Sequence, residues 1–112
     1  MGMSDTVISL AQYRVKIGAE AEFEELLRQH QTTLRSLDLI TDRPIQIFLG
    51  DEKEAEGPYF VEIFEWAGEA AIGEAHTHPQ VSAHWEAMGA LCEERGGHPM
   101  FEFKSLKTLD LG

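Results

Sequence analysis

The chain has 112 residues, 43% hydrophobic and 26% charged, which is an ordinary composition for one globular domain spanning 1–112. Twenty acidic residues against nine basic ones give a formal net charge of −11 at pH 7. A field of that sign repels phosphate backbones and anionic lipid surfaces, so neither nucleic acid nor a membrane is expected as a partner. The single cysteine, Cys92, cannot form an internal disulfide, and no secretory signal or membrane-spanning stretch is evident, so we expect a cytoplasmic protein.

Hydrophobic periodicity predicts three strands and a helix in the first part of the chain. Alternating residues indicate a strand over Val7–Ile17, which Gly18 ends. Helical spacing then indicates a helix over Ala19–Ser36. Its apolar stripe holds Phe23, Leu26, Leu27, His30, Leu34 and Leu37. The elements that follow are a strand over Ile45–Leu49, a solvated acidic loop over Asp51–Gly57, and a strand over Tyr59–Trp66.

Helical patterning returns after Gly68, but His78-Pro79 interrupts it, because proline disfavours the helical conformation of the residue before it. We therefore predict one helix to about Thr77 and a second from Pro79, with Gly96-Gly97 as its stop signal. A last strand runs over Met100–Leu106. The element order βαββαβ predicts an α+β, ferredoxin-like split βαβ fold, in which a four-stranded antiparallel sheet carries its helices on one face.

Aromatic residues on the third and fourth strands suggest that the other sheet face is also apolar. Successive side chains of a strand point to opposite faces, so we expect that these aromatics cannot all face the helices. The residues concerned are Phe60, Phe64, Trp66, Phe101 and Phe103. A large exposed apolar sheet face is rare in monomers, so we predict that a second copy of the chain covers it, giving a homodimer.

Three stretches carry a family resemblance: Phe64-Glu65-Trp66, Ala75-His76-Thr77-His78-Pro79-Gln80-Val81 and Trp85-Glu86-Ala87-Met88. With the element order, they resemble the antibiotic biosynthesis monooxygenase-like family of dimeric α/β barrels over most of the chain. The resemblance implies a barrel formed by the sheets of two protomers and a pocket between the sheet and helices of each. Members of this family include cofactor-independent oxygenases of polycyclic phenols and haem-degrading enzymes.

The haem-degrading branch of the family has a pattern that can be compared residue by residue. It has an asparagine late in the first strand, a tryptophan after the third strand, and a haem-ligating histidine beyond that tryptophan. Placed by Arg14 and Trp66, this chain has Tyr13, Ala75 and Trp85 at these positions, with His84 beside the last. Two positions depart outright and the third is only adjacent, so haem degradation is the less favoured alternative.

Five histidines are the most unusual feature of the composition, and imidazole is the side chain that moves protons near neutral pH. His30 and His84 lie on helix faces that pack against the same sheet, so both could converge on one cavity with Tyr13. We hypothesise that these three are catalytic, with His30 or His84 as a general base toward a phenolic or enolic substrate. The substrate-binding candidates are Trp66, Trp85, Phe64, Gln12 and His76. In the simpler interpretation, His30 is a hydrogen-bonded core residue and the two tryptophans are core or interface aromatics.

The sequence does not predict a metal site. His76 and His78 are about 200° apart on a continuous helix, so they could share a metal only if the break at Pro79 bends the chain, with Glu74 or His84 as a third ligand. The simpler interpretation is that His76 caps the helix junction and His78 is exposed.

No cofactor is predicted either, because the glycines match neither a dinucleotide fingerprint nor a P-loop, so NAD, FAD and ATP are not implied. The sequence thus leaves three functions open. The first is a monooxygenase-like protein that oxygenates a small hydrophobic aromatic compound without a cofactor. The second is a dimeric barrel that binds such a ligand without transforming it. The third is a structural dimer whose pocket is filled by its own side chains.

Overall fold

A computed structural model describes residues 6–52 and 55–111. In chain order its elements are β1 (Val7–Arg14), α1 (Glu20–Ser36), β2 (Gln46–Glu52), β3 (Ala55–Trp66), α2 (Glu69–Thr77), α3 (Pro79–Ala90) and β4 (Phe101–Leu106). The strands form one antiparallel sheet in the order β2-β3-β1-β4, which confirms the predicted α+β, ferredoxin-like fold. Within the described part of the chain, no helix has the length and apolar character needed to cross a membrane.

The helices bury one face of the sheet, as predicted. The apolar stripe of α1 is confirmed at its centre, where Phe23, Leu27, His30 and Leu34 are all buried. Phe23 and Leu27 pack in one cluster with Met88 of α3 and with the strand residues Ala11, Tyr13 and Phe60. The core therefore lies between the central strands and the inner sides of α1 and α3, where these large side chains are removed from water.

Two predicted ends were wrong, and one contact explains both. β1 ends at Arg14 rather than Ile17, and α3 ends at Ala90, well before Gly96-Gly97. After α3 the chain turns to meet the end of β1, where Val15 bridges Cys92 and the Lys16 N–H donates to the Leu91 carbonyl at 2.8 Å. Tertiary pairing thus ends the helix before its sequence stop signal. The two glycines have φ of 57° and 80° and form a separate turn.

The prediction of a loop over the acidic segment was also partly wrong. β2 continues through Asp51 and Glu52, and β3 already begins at Ala55. The remaining positions, 53–54, lie outside the described residues. Arg14 binds Glu52 at the end of β2, and the Arg95 guanidinium donates to the Pro58 carbonyl at 2.6 Å. These two arginines hold the acidic hairpin against the sheet, which the local sequence pattern does not reveal.

The expectation that the aromatic side chains divide between the two faces was wrong. Phe60 and Phe101 both pair with Tyr13, Phe64 pairs with Ser9, Trp66 with Val7 and Phe103 with Ala11, so all five aromatics lie on the helix face. Directly paired residues share a face. The opposite face is apolar for a different reason, because its central side chains are aliphatic. These residues are Ile8 and Leu10 of β1 and Val61 and Ile63 of β3, and we refer to them as the outer patch.

Candidate functional site

A cavity of about 240 Å³ lies on the helix face of the sheet. Strands β1, β3 and β4 form its floor, and all three helices contribute to its walls. The predicted site residues that it brings together are Tyr13, His30, Phe64, Trp66, His76 and Trp85. Two further aromatic residues, Phe101 and Phe103 of β4, and the small residues Ser9 and Ser105 complete the strand side. The predicted pocket between the sheet and its own helices is therefore present.

Two predicted site residues, Gln12 and His84, lie elsewhere. Gln12 follows the strand alternation to the opposite face, where its side-chain amide donates to the Tyr59 hydroxyl. His84 lines a shallow groove outside α1 and α3, and its Nε2 lies 3.0 Å from the Thr33 hydroxyl. The inward position on α3 is taken by the next residue, Trp85, so the hypothesis that all of these groups share one cavity was wrong for Gln12 and His84.

His30 and Trp85 form the polar contact of the cavity wall. The Trp85 Nε1–H donates to His30 Nε2 at 2.9 Å, and the two rings are 6.1 Å apart. Because an indole N–H is only a donor, His30 Nε2 must be unprotonated, and the neutral ring carries its proton on Nδ1. His30 Nδ1 is buried and has no hydrogen-bond partner among the described residues. Among the ring atoms of His30, this N–H is therefore the one whose hydrogen-bonding capacity is unused.

Burial makes His30 a weak base. Desolvation, followed by the repulsion of the nearby His84, lowers the pKa of His30 to about 4. The ring is neutral near pH 7 and does not readily hold a second proton. The geometry consequently favours His30 as a hydrogen-bond donor through Nδ1 over the general-base role expected from the sequence.

Tyr13 connects the cavity to a buried carboxylate. Its hydroxyl donates to Glu62 Oε1 at 2.7 Å, and the amide of Gln31 on α1 donates to Glu62 Oε2 at 3.1 Å. Glu62 is 1% exposed, and burial raises the pKa of this carboxyl above its usual range, although both hydrogen bonds oppose the shift. Burial also raises the pKa of Tyr13 well above that of a free tyrosine, with the Glu62 charge as the next cause. Both oxygens of Glu62 thus accept hydrogen bonds, as expected of an ionised carboxylate.

The sequence contains a signal for the importance of Glu62. Glu62 is an even number of positions away from Phe60, Phe64 and Trp66 on the same strand. Its carboxylate therefore lies on the same sheet face as these aromatic side chains. Charged residues are seldom fully buried without a partner. Its partner, Tyr13, comes from another strand, and the sequence alone could not identify that pair.

The roles predicted for the two central histidines are exchanged in the structure. His78 is the N-cap of α3, because its Nδ1 accepts the backbone N–H of Gln80 at 3.2 Å. His76 is exposed, and its ring packs against Trp85 at the cavity wall with the centroids 5.1 Å apart. Among residues 6–52 and 55–111, no group of three or more His, Cys, Asp or Glu side chains is arranged to hold a metal ion.

A second buried polar cluster, which we call the Arg14 cluster, lies on the outer face. Arg14 Nη2 is 2.7 Å from Glu52 on β2 and 2.8 Å from Glu102 on β4, and its Nη1 donates to the Pro99 carbonyl. The hydrogen bond from Arg14 lowers the pKa of Glu52. The guanidinium also lies 5.4 Å from the ring of Tyr59. This cluster ties the two edge strands to β1, and sequence analysis missed it.

Solved structures share this fold over nearly the whole chain. SnoaB, a cofactor-independent oxygenase from Streptomyces nogalater, is 21% identical, with a TM-score of 0.69 and 95% of each chain covered. An antibiotic biosynthesis monooxygenase is 18% identical, with a TM-score of 0.68, and 93% of this chain and 99% of that chain are covered. A dimeric ferredoxin-like protein of unknown function from Jannaschia sp. CCS1 is 15% identical, with a TM-score of 0.69 and coverage of 92% and 99%.

These likenesses confirm the fold that the family resemblance implied, and at such identities they show the fold alone. No protein-family model matches the sequence, and no curated protein matches it either.

Proposed function

We propose that this protein binds a small hydrophobic aromatic compound in the cavity and oxygenates it without a cofactor. One observation carries the proposal: most of the cavity wall is aromatic or aliphatic, and its few polar lining residues include Tyr13 and His30. A concave, mostly apolar site with few polar groups is the usual form of a small-molecule site. The shared fold with SnoaB, described as a cofactor-independent oxygenase, supports the reaction type.

The size of the cavity limits the substrate. An apolar cavity of about 150 Å³ holds one benzene ring, whereas this one measures about 240 Å³. The proposed substrate is therefore an enolisable or phenolic compound of one or two rings. A suitable probe is 2-tetralone, a two-ring ketone whose CH₂ between the carbonyl and the aromatic ring is acidic.

The reaction balances without an external reductant. Removal of a proton from the CH₂ gives an enolate, whose carbon transfers electrons to O₂ as a new C–O bond forms. The peroxide takes up a proton, its O–O bond breaks, and the second hydrogen leaves the same carbon. The CH₂ becomes a carbonyl group and the second oxygen atom leaves as water. The substrate supplies all of the electrons, so the chemistry needs only a base and stabilisation of the enolate oxygen.

In this scheme the residues of the cavity have separate roles. The His30 Nδ1–H would donate a hydrogen bond to the enolate oxygen, and Trp85 would hold the ring of His30 in the tautomer that allows this. Phe64 and Trp66, whose rings are 5.1 Å apart, would pack against the aromatic part of the substrate. These apolar walls also exclude water, which strengthens the hydrogen bond to the enolate.

We also propose that the working unit is a homodimer. The outer patch is aliphatic, and Phe48 and Leu106 beside it are 47% and 39% exposed. A second copy of the chain would bury this face. The dimeric description of the Jannaschia protein, which has the same fold, supports this assembly. Light scattering is expected to give twice the 12.6 kDa of one chain, and a mass of one chain would contradict it.

A cytoplasmic location is part of the proposal, and it is supported by the single cysteine of the chain, which cannot form an internal disulfide. Cys92 is buried, and burial raises the pKa of its thiol to about 12. A thiol in that environment is a small apolar core group and is poorly reactive.

A second candidate function is binding without turnover. The observation that favours it is the weak basicity of His30, because a site without a competent base would hold an aromatic ligand unchanged. The two candidates share the cavity and differ only in whether the bound compound consumes oxygen.

Calorimetry and oxygen uptake with 2-tetralone test both candidates. We expect saturable binding, and oxygen consumption with one diketone formed per O₂. Ser9→Leu fills the cavity from the central strand and should abolish both signals, whereas Ser82→Leu on α3, outside the cavity lining, should leave both intact. Binding without oxygen uptake would assign the second candidate. No binding by the native protein, or equal binding by Ser9→Leu, would refute both.

A further inference from the structure

Glu62 is a buried carboxylate that the described structure leaves without a counter-ion. Its two oxygens accept hydrogen bonds from the neutral groups of Tyr13 and Gln31, and among the described residues no lysine, arginine or histidine pairs with it. Keeping an ionised carboxyl in such a place costs stability, and proteins retain buried charges of this kind mostly where they have a chemical task.

The position of Glu62 relative to the cavity indicates that task. Tyr13 is part of the cavity lining and Glu62 is not, so Tyr13 stands between the cavity and the carboxylate. The O–H···O distance of 2.7 Å between them is that of a direct hydrogen bond. A proton that arrives at the Tyr13 oxygen can therefore be matched by the transfer of the tyrosine's own proton to Glu62.

We propose that Glu62 is the terminal proton acceptor of the cavity and receives the substrate's proton through the hydroxyl of Tyr13. This inference rests on the proposed function, since it identifies the base which that reaction needs. The substrate C–H bond breaks and its proton joins the Tyr13 oxygen, while the Tyr13 O–H bond breaks and that proton joins Glu62 Oε1. Tyr13 is neutral before and after, Glu62 becomes neutral, and the negative charge moves to the enolate.

The electrostatics of the pair suit this transfer. Burial raises the pKa of the Glu62 carboxyl, so it is a stronger base than an exposed carboxylate. The pKa of Tyr13 is also raised, well above that of a free tyrosine, so a free tyrosinate does not accumulate and Tyr13 acts only as a relay. Gln31 holds Oε2, which keeps Oε1 directed to Tyr13. His30, the alternative base, has its Nε2 occupied by Trp85 and a pKa of about 4.

Hydrogen–deuterium exchange of 2-tetralone under anaerobic conditions in D₂O isolates the proton transfer from the oxygen chemistry. The native protein is expected to catalyse exchange at the acidic CH₂. Glu62→Gln keeps the shape of the side chain and an acceptor for Tyr13 but removes the base, so exchange should fall by about 100-fold or more. Tyr13→Phe should cause a similar loss. Binding of 2-tetralone, measured by calorimetry, should be unchanged in Glu62→Gln, which a merely structural role would not predict.

Glu65→Gln is the matched control, since Glu65 lies on the same strand, faces away from the helices and bonds to Thr41. It should exchange at the native rate. Native exchange in Glu62→Gln or in Tyr13→Phe would overturn the relay, as would the absence of exchange in the native protein. A loss confined to His30→Gln would assign the base to His30 instead. Exchange that follows the predicted pattern without oxygen uptake under air would support the relay and refute the oxygenase.

Discussion

The two faces of the sheet bury charge in opposite ways. On the outer face, Arg14 is surrounded by Glu52, Glu102 and the Pro99 carbonyl, so its charge is compensated and its hydrogen-bonding groups are occupied. On the helix face, the carboxylate of Glu62 is compensated only by neutral donors, and a cavity lies beside Tyr13. Tyr13 and Arg14 are adjacent in sequence, and strand alternation alone sends them to these two environments.

The buried charge of Arg14 therefore has a structural role, whereas that of Glu62 is suited to a chemical one. In the Arg14 cluster the guanidinium is already hydrogen-bonded to two carboxylates and a backbone carbonyl, so it has little capacity left to bind a ligand. Removing one member of the cluster leaves an uncompensated charge. The helix face instead has a carboxylate with a raised pKa behind Tyr13 of the cavity lining, and in the same lining a histidine whose Nδ1 has no partner among the described residues. This difference supports the proposals that the chemistry takes place on the helix face and the assembly on the outer face.

The largest expected effect separates assembly from binding. Leu10→Asp puts a charge in the centre of the outer patch, so it should convert the proposed dimer entirely to monomer, because an unpaired carboxylate is too costly to bury in an apolar interface. Light scattering measures the mass, and calorimetry with 2-tetralone should still detect binding, since Leu10 lies on the sheet face opposite the cavity. A Leu10→Asp protein that remains a dimer would contradict the assignment of this face.

Arg14→Met tests the structural role of the compensated cluster. Removing the guanidinium leaves Glu52 and Glu102 facing each other, and urea denaturation should show a loss of about 3 kcal/mol in the free energy of unfolding. The control is Arg28→Met on the exposed side of α1, where the loss should be no more than about 0.5 kcal/mol. Equal effects in the two variants would show that the Arg14 cluster has no special structural role.

Trp85→Phe tests the polar contact of the cavity. The variant loses the N–H that satisfies His30 Nε2, so the free energy of unfolding should fall by about 1–2 kcal/mol. ¹⁵N NMR of the imidazole should then show that the proton of His30 is no longer confined to Nδ1. Trp66→Phe removes a similar ring and leaves the bond to His30 in place, so it should retain the single tautomer. Retention of the Nδ1–H tautomer in Trp85→Phe would refute the role given to Trp85.

The smallest expected effect concerns the pH dependence of stability, to which Glu52 and Glu62 should contribute with opposite signs. The pKa of Glu52 is lowered by Arg14, so its contribution to stability is present above the ordinary carboxyl pKa and lost as the pH falls through the lowered value. The pKa of Glu62 is raised, so its ionisation costs stability as the pH rises from the ordinary value through the raised one.

Urea midpoints measured across this range therefore give a direct check. Glu62→Gln should gain stability relative to the native protein as the pH rises, whereas Glu52→Gln should lose stability relative to it. A pH-independent difference for Glu62→Gln would mean that burial does not penalise this carboxylate.

The fold could be predicted because it depends on local periodicity. The apolar stripe of α1 and the break at Pro79 each depend on residues that are close together in the sequence, and both appear in the structure. The end of α3 could not be predicted, because it is set by the pairing of Cys92 with Val15 from a distant strand. Local signals fix where an element can form, and tertiary contacts decide where it ends.

Six of the eight residues predicted for the site line the cavity, and the other two, Gln12 and His84, do not. The inward positions of His30 and Tyr13 follow from helix and strand periodicity. The choice between His84 and Trp85 for the inner side of α3 depends on a rotation of less than one third of a turn, which spacing does not resolve. Partners from separate elements, such as Glu62 with Tyr13, come together only once the strand register is fixed.

The most direct test of the central claim, that the helix-face cavity is the ligand site, is ¹⁵N NMR of the histidine rings during a titration with 2-tetralone. We expect the Nδ1 resonance of His30 to move until the cavity is saturated, because this N–H gains an acceptor on the ligand, while the exposed His98 does not respond. A His30 resonance that stays in place at saturating ligand would show that the ligand binds elsewhere.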